Sequence, residues 1–107
     1  MTAVNTDHVF YNDVPKSMAD ELTSKLVHQS KSSFNTPLTY PAYQEIPVSY
    51  LLCEQDNAIP LAAQKAMAEI GGPTVVSHVC TASHSPMLSM PGKVVEVIRS
   101  SAGEITA

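Results

Sequence analysis

Basic charge, long apolar runs, glycine and cysteine are all scarce in this sequence, and each scarcity excludes something. Six Lys or Arg stand against ten Asp or Glu, for a formal net charge of −4. The basic residues are scattered, with no run of them. Binding to a phosphate backbone needs a basic patch, so nucleic acid is not expected as a partner. No stretch approaches the ~18 consecutive apolar residues of a spanning helix, so no membrane segment is expected. Met1 to Asp13 lacks the basic start and apolar middle of a signal peptide, which makes the cytoplasm the expected compartment. The two cysteines, Cys53 and Cys80, are too few for a disulfide scaffold and read as free, buried thiols. With the four histidines they show no CxxC or HxxxH spacing, so no metal and no other cofactor is expected. There is no internal repeat and no low-complexity tract.

What is present is an ordinary globular composition: 107 residues, 44% hydrophobic and 15% charged, enough for one domain. The character of the chain changes near Pro47. Before it the sequence is polar and interrupted by Pro15, Pro37 and Pro41. A helix is predicted from about Pro15 to His28, with Met18, Leu22 and Leu26 as its apolar stripe and proline at a tolerant first position. Ser30 to Tyr43 reads as loop, with Phe34, Tyr40 and Tyr43 as aromatic anchors.

From Pro47 onward, short apolar runs alternate with helical patterns. Val48 to Cys53 has almost no polar alternation, as expected of a strand buried on both faces. Pro60 to Ile70 predicts a helix with Ala63, Met67 and Ile70 on one side, ended by Gly71 and Gly72. Thr74 to Cys80 predicts a second strand. Pro91 to Ser101 predicts a last helix with Val94, Val95 and Ile98 apolar and Gly103 beyond it. The order strand, loop, helix, strand, loop, helix is the grammar of a parallel α/β sheet.

Such sheets place ligands and catalytic groups on loops at the carboxyl ends of their strands. Two loops qualify here. One holds Glu54 and Asp56, the other His84. Parallel neighbouring strands bring both loops to one edge, where an acid and a histidine can meet. A carboxylate bonded to one imidazole nitrogen fixes the tautomer and leaves the other nitrogen to act as a general base. Taken singly, an Asp after a strand is ordinarily a cap or turn residue, and a His in a Ser-rich loop is ordinarily solvated. Glu54 competes with Asp56 for the acid role. His78 lies within a strand, and His8 and His28 lie in the polar N-terminal part, where packing or surface roles are expected.

At these residues a family resemblance becomes visible. Ile-Pro-Val-Ser-Tyr-Leu-Leu-Cys-Glu-Gln-Asp-Asn-Ala-Ile-Pro, residues 46–60, resembles the strand and acid loop of α/β-hydrolases, in particular the esterase and hydroxynitrile-lyase-like branch with its fungal members. Gln64, in the first turns of the following helix, also matches. Ala82-Ser83-His84-Ser85-Pro86-Met87-Leu88-Ser89 with Pro91 resembles that branch's histidine loop and final helix. Residues 8–43, including Phe10-Tyr11-Asn12-Asp13-Val14-Pro15, resemble the end of its cap.

The resemblance implies an α/β fold: the C-terminal part of an α/β-hydrolase, with two parallel strands, flanking helices and a helical cap remnant. Residues 1–45 would be the cap remnant and 46–107 the βαβα part of the core. It assigns the triad acid to Asp56, ahead of Glu54 because Ile59-Pro60 follows at the family's spacing, and the triad base to His84. The family's serine lies on a G-x-S-x-G elbow that precedes both in chain order. None of Gly71, Gly72, Gly92 and Gly103 flanks a serine in that pattern. The expectation is a partial serine-type hydrolase whose complete fold takes a small ester-like substrate, and which is inactive without its nucleophile half. The rival expectation is a non-catalytic interaction protein, or a fragment that self-associates through an exposed strand edge. A third, weaker reading recruits Ser83 or Ser85 as nucleophile beside His84.

Overall fold

A computed structural model describes residues 2–103. Two short helices open the chain, α1 (Thr6–Val9) and α2 (Lys16–Ser24), followed by 3-10 turns at Lys31–Phe34 and Ala42–Gln44. Strand β1 (Ser49–Cys53), helix α3 (Leu61–Ile70), strand β2 (Val76–Cys80) and helices α4 (Pro86–Ser89) and α5 (Pro91–Ser101) complete it. The strands pair in parallel, with Ser49 opposite Val76, Leu51 opposite His78 and Cys53 opposite Cys80. The expected α/β architecture with two parallel strands and flanking helices is therefore what forms, each strand a residue or two shorter than its sequence pattern.

The two helices that follow the strands lie on opposite faces of the sheet. Leu52 of β1 and Ser77 of β2 line a hollow with Lys65, Ala68 and Glu69 of α3. Residues of the alternate parity point the other way: Ser49 Oγ accepts from Ser101 Oγ of α5 at 2.7 Å, and Cys53, Cys80 and Ala82 form a small core against Leu51 and Met90. This alternation follows from the two-residue side-chain period of a strand. It covers β1 on both faces, which is why the Val48 to Cys53 run could dispense with polar alternation.

The helix faces differ from those predicted. In α2 the buried residue is Ala19, while Met18 and Leu26 are exposed. The helix also ends at Ser24, short of Leu26, and turns Thr23 toward α1, where its hydroxyl bonds that of buried Thr6 at 2.9 Å. In α3 the inward residues are Gln64 and Ala68, whereas Met67 and Ile70 face out. In α5 the inward residue is Val97, with Val95 and Ile98 exposed. A search for apolar periodicity passes over Gln64, yet its amide anchors α3 to β1.

Prolines begin these elements as expected. Pro60 caps α3, and Pro91 takes the first position of α5. After α3 the chain reverses tightly into β2. Gly71 has no room for a Cβ, which would sit 2.5 Å from Val75 Cγ2, and Gly72 adopts a left-handed φ of 89°. Between Leu26 and Ile46 no residue is buried. Among the described residues, no helix is long and apolar enough to cross a membrane.

Candidate functional site

Cys53 and Cys80 end their strands side by side, so the two following loops start from one place at the carboxyl edge of the sheet. Backbone bonds tie the loops together: Glu54 N–H donates to Cys80 C=O and Gln55 N–H to Ala82 C=O, both at 3.0 Å. The ladder thus extends past the strand ends and holds the loops parallel for two further residues.

Asp56 and His84 meet across this junction. His84 Nδ1 lies 3.0 Å from Asp56 Oδ2 and 3.2 Å from Oδ1. The Asp56 side chain is only 7% exposed and that of His84 33%. Asp56 Oδ1 also accepts the N–H groups of Ala58 at 2.7 Å and Ile59 at 3.0 Å. The carboxylate is thereby locked by its own turn, its charge spread over backbone donors as well as the imidazole. Both roles an Asp can take after a strand, turn residue and histidine partner, are filled at once. Glu54 is exposed and contributes its backbone to the ladder.

Gln64 fixes the acid loop from beneath. It is 2% exposed, and its amide accepts from Cys53 N–H at 2.8 Å and donates to the carbonyls of Cys53 at 2.9 Å and Ile59 at 2.8 Å. It bridges the end of β1 to the end of the acid loop. Burial, and then the hydrogen bond to Cys80, push the Cys53 thiol up to about 12 from an ordinary 9.0. The two sulfurs are 3.7 Å apart and both cysteines are free.

The N-terminal segment closes over both loops. Asn12 donates to Gln55 C=O at 3.1 Å and receives the Ser83 hydroxyl. Asp13 Oδ2 accepts the Ser83 N–H at 2.7 Å and the Ser89 hydroxyl at 2.6 Å. Asn57 donates to His8 C=O at 2.9 Å. The Phe10 ring lies against the His84 ring, centroids 5.1 Å apart with the planes tilted 31°. The family resemblance implies only a cap for Phe10 to Asp13; the polar pair Asn12-Asp13 just before a helix-opening proline is the signal that these side chains have partners to satisfy.

Ser83 is fully buried with its hydroxyl on Asn12, so it is a structural residue and not a nucleophile beside His84. His8 contributes only its backbone here. His28 Nδ1 bonds Thr2 Oγ1 at 2.6 Å, far along the chain from the site, and His78 sits within β2. Among the described residues no three of His, Cys, Asp and Glu come together as a metal-holding group.

A model of the family described as "Alpha/beta hydrolase family" matches residues 2–97. The chain is 41% identical over 96 residues to alpha/beta hydrolase nvfD of Aspergillus novofumigatus, covering 90% of this chain and 38% of that protein. It is 36% identical over 96 residues to probable hydrolase R7 of a Phoma species, covering 86% and 39%. It is 35% identical over 92 residues to the pyrethroid hydrolase of Sphingobium wenxiniae, covering 84% and 32%. The chain thus spans about two fifths or less of the length of these relatives. No solved structure matches it significantly.

Proposed function

The chain belongs to the alpha/beta hydrolase family, and on that premise we propose that it supplies the acid and base of a serine-hydrolase triad, Asp56 and His84. The observation that carries this reading is the 3.0 Å contact between His84 Nδ1 and Asp56 Oδ2 at the carboxyl edge of a parallel sheet. With Nδ1 turned to the carboxylate, Nε2 is the nitrogen left to take a proton from a serine and return it to a leaving alkoxide. Asp56 holds the tautomer and stabilises the imidazolium during transfer. The Ala58 and Ile59 N–H bonds keep the carboxylate from rotating away as the charge moves.

The 107 residues contain no G-x-S-x-G elbow. The nucleophile and the oxyanion donors, which carry much of the barrier lowering, are therefore assigned to sequence outside these residues. By themselves the 107 residues are inactive toward esters. The substrate of the completed site is a small ester or related acyl compound.

The test is complementation. The chain is mixed with a fragment of an alpha/beta hydrolase that carries a G-x-S-x-G elbow and lacks its own acid and histidine loops, and turnover of an activated short-chain ester is measured. Turnover that appears on mixing and vanishes with His84→Ala supports the proposal. Turnover by the chain alone that survives His84→Ala sinks it.

A second reading is favoured by one observation, the open edge of β1. Val48 C=O accepts from Val76 N–H, and Glu54 N–H donates to Cys80 C=O. Even-numbered peptide groups of β1 therefore face β2, and odd-numbered ones face the free edge. Cys53 is satisfied there by Gln64, and among the described residues the Ser49 peptide groups and the Leu51 N–H are left to another strand, while Leu51 C=O takes a long contact from the Cys53 thiol at 3.7 Å. In this reading the chain is an interaction fragment that pairs with a copy of itself or with another subunit.

A further inference from the structure

The acid of the pair is locked by its own turn, through Ala58, Ile59 and the bridge from Gln64. The base has no such local anchor. His84 stands between Ser83 and Ser85 in a stretch without regular structure, and among the described residues its ring is held by Asp56 on one edge and Phe10 on one face. Beyond the Gln55–Ala82 rung, its backbone is held from about seventy residues earlier in the chain. Asp13 Oδ2 takes two donors at once: the N–H of Ser83, immediately before His84, and the hydroxyl of Ser89, at the end of α4, immediately after the loop. One carboxylate oxygen therefore joins both ends of the histidine loop. Its neighbour Asn12 holds the Ser83 side chain and reaches across to Gln55 C=O in the acid loop.

We infer that Asp13 is a positioning residue for His84, which closes the histidine loop by pinning Ser83 and Ser89 to a single oxygen and so fixes the direction in which the imidazole reaches Asp56. The inference rests on the reading of Asp56 and His84 as an acid–base pair. It adds that the orientation of the base is set from the N-terminal segment and not from the sheet alone. Charge suits the role: a carboxylate draws a backbone N–H and a hydroxyl more strongly than a neutral acceptor, and the bonds to it are shorter. Small displacements of a base are costly because proton transfer needs hydrogen-bond reach at both nitrogens.

The test reads the His84 ring directly, by nitrogen NMR of the full 107-residue chain with labelled histidine. The wild-type chain should show one fixed tautomer with its proton on Nδ1 in slow exchange. Asp13→Ala should turn this into a mixture of tautomers with fast proton exchange, while His8, His28 and His78 are unchanged. Asp13→Asn, which keeps an oxygen acceptor, should restore most of the fixed form. In the complemented enzyme, Asp13→Ala should lower kcat by about tenfold or more with KM unaltered. A fixed Nδ1–H tautomer that persists in Asp13→Ala but is lost in Asp56→Asn overturns the positioning role and leaves the pairing intact. Absence of a fixed tautomer in the wild-type chain overturns both. Should Asp13→Ala fail to fold, Ser89→Ala decides, since it removes one link and leaves the Ser83 N–H bonded. Faster exchange of the His84 proton then supports the role, and unchanged exchange overturns it.

Discussion

Cys53 and Cys80 stand opposite each other in the parallel ladder, their sulfurs 3.7 Å apart, and the loops bearing Asp56 and His84 leave the sheet directly from this pair. The junction is buried, and that burial pushes the Cys53 thiol up. The position of this pair links the stability of the sheet end to the placement of the two loops above it.

The first prediction concerns alkaline pH. The Cys53 thiol is raised to about 12 in the fold from an ordinary 9.0, by burial and then by Cys80. An unfolded chain therefore releases this proton at lower pH than the folded one. The stabilisation is complete below about pH 9 and is lost as pH climbs toward 12, because unfolding releases a proton in that window. Urea midpoints measured from pH 8 to pH 11 should fall for the wild-type chain and fall less steeply for Cys53→Ala. Equal slopes would mean that the thiol is not the group responsible.

A second prediction separates the two roles of Asp56. Asp56→Asn keeps an oxygen for the Ala58 and Ile59 N–H groups but loses the carboxylate that, in the proposed triad, would stabilise an imidazolium. Thermal melting should move little, while turnover of the complemented enzyme should fall by on the order of 10³–10⁴. Asp56→Ala leaves two backbone donors without their partner and should cost an additional ~1–3 kcal/mol of stability. A melting point equally low in both variants would assign Asp56 to the histidine and not to the turn.

Gln64→Leu is the third. The leucine fits the volume but leaves Cys53 N–H, Cys53 C=O and Ile59 C=O without the amide they share. With each unsatisfied group worth ~1–3 kcal/mol, the loss should be about 3 kcal/mol or more. Denaturant unfolding checks this, and the Asp56–His84 contact should loosen with it because Ile59 closes the acid loop. A loss below about 1 kcal/mol would show that water replaces the amide.

The legibility of this chain in its sequence was uneven, for reasons that particular residues make clear. The βαβα order and both loops could be read because buried parallel strands need apolar runs and the helices start at proline. The Asp56–His84 meeting followed from that order. The helix faces could not be read. Periodicity favoured Met67 and Ile70 over Gln64, since a pattern of apolar residues has no means of seeing an amide that substitutes for a strand's hydrogen bonds. Likewise Val97 was passed over for Val95 and Ile98, which are exposed. Met67 and Ile70 on α3, Val95 and Ile98 on α5, and Val76 and Val79 on β2 are apolar and exposed, so an apolar pattern alone does not mark the packed face. The partners of Asn12 and Asp13 join positions about seventy residues apart, a distance at which local patterns carry no information.

The last prediction concerns the open edge of β1. Ser49 and Leu51 offer their backbone groups to another strand, and the chain should sediment as more than a monomer at micromolar concentration. Ser49→Pro removes one of these donors at the start of the strand without touching the β1–β2 ladder. It should shift the distribution toward monomer. A wild-type chain that is monodisperse and monomeric, with a sharp cooperative melt, would mean that the edge is not used and that the chain closes its own core.

The bond from Gln64 to Cys53 also limits how a strand can add to that edge. An incoming strand can zip along β1 as far as Leu51, and there the side-chain amide already occupies the next rung. The added strand must part from β1 one rung below the acid loop. The parting of the two strands at that point is therefore set by one glutamine acting as a wedge, with no change in the course of β1 itself required.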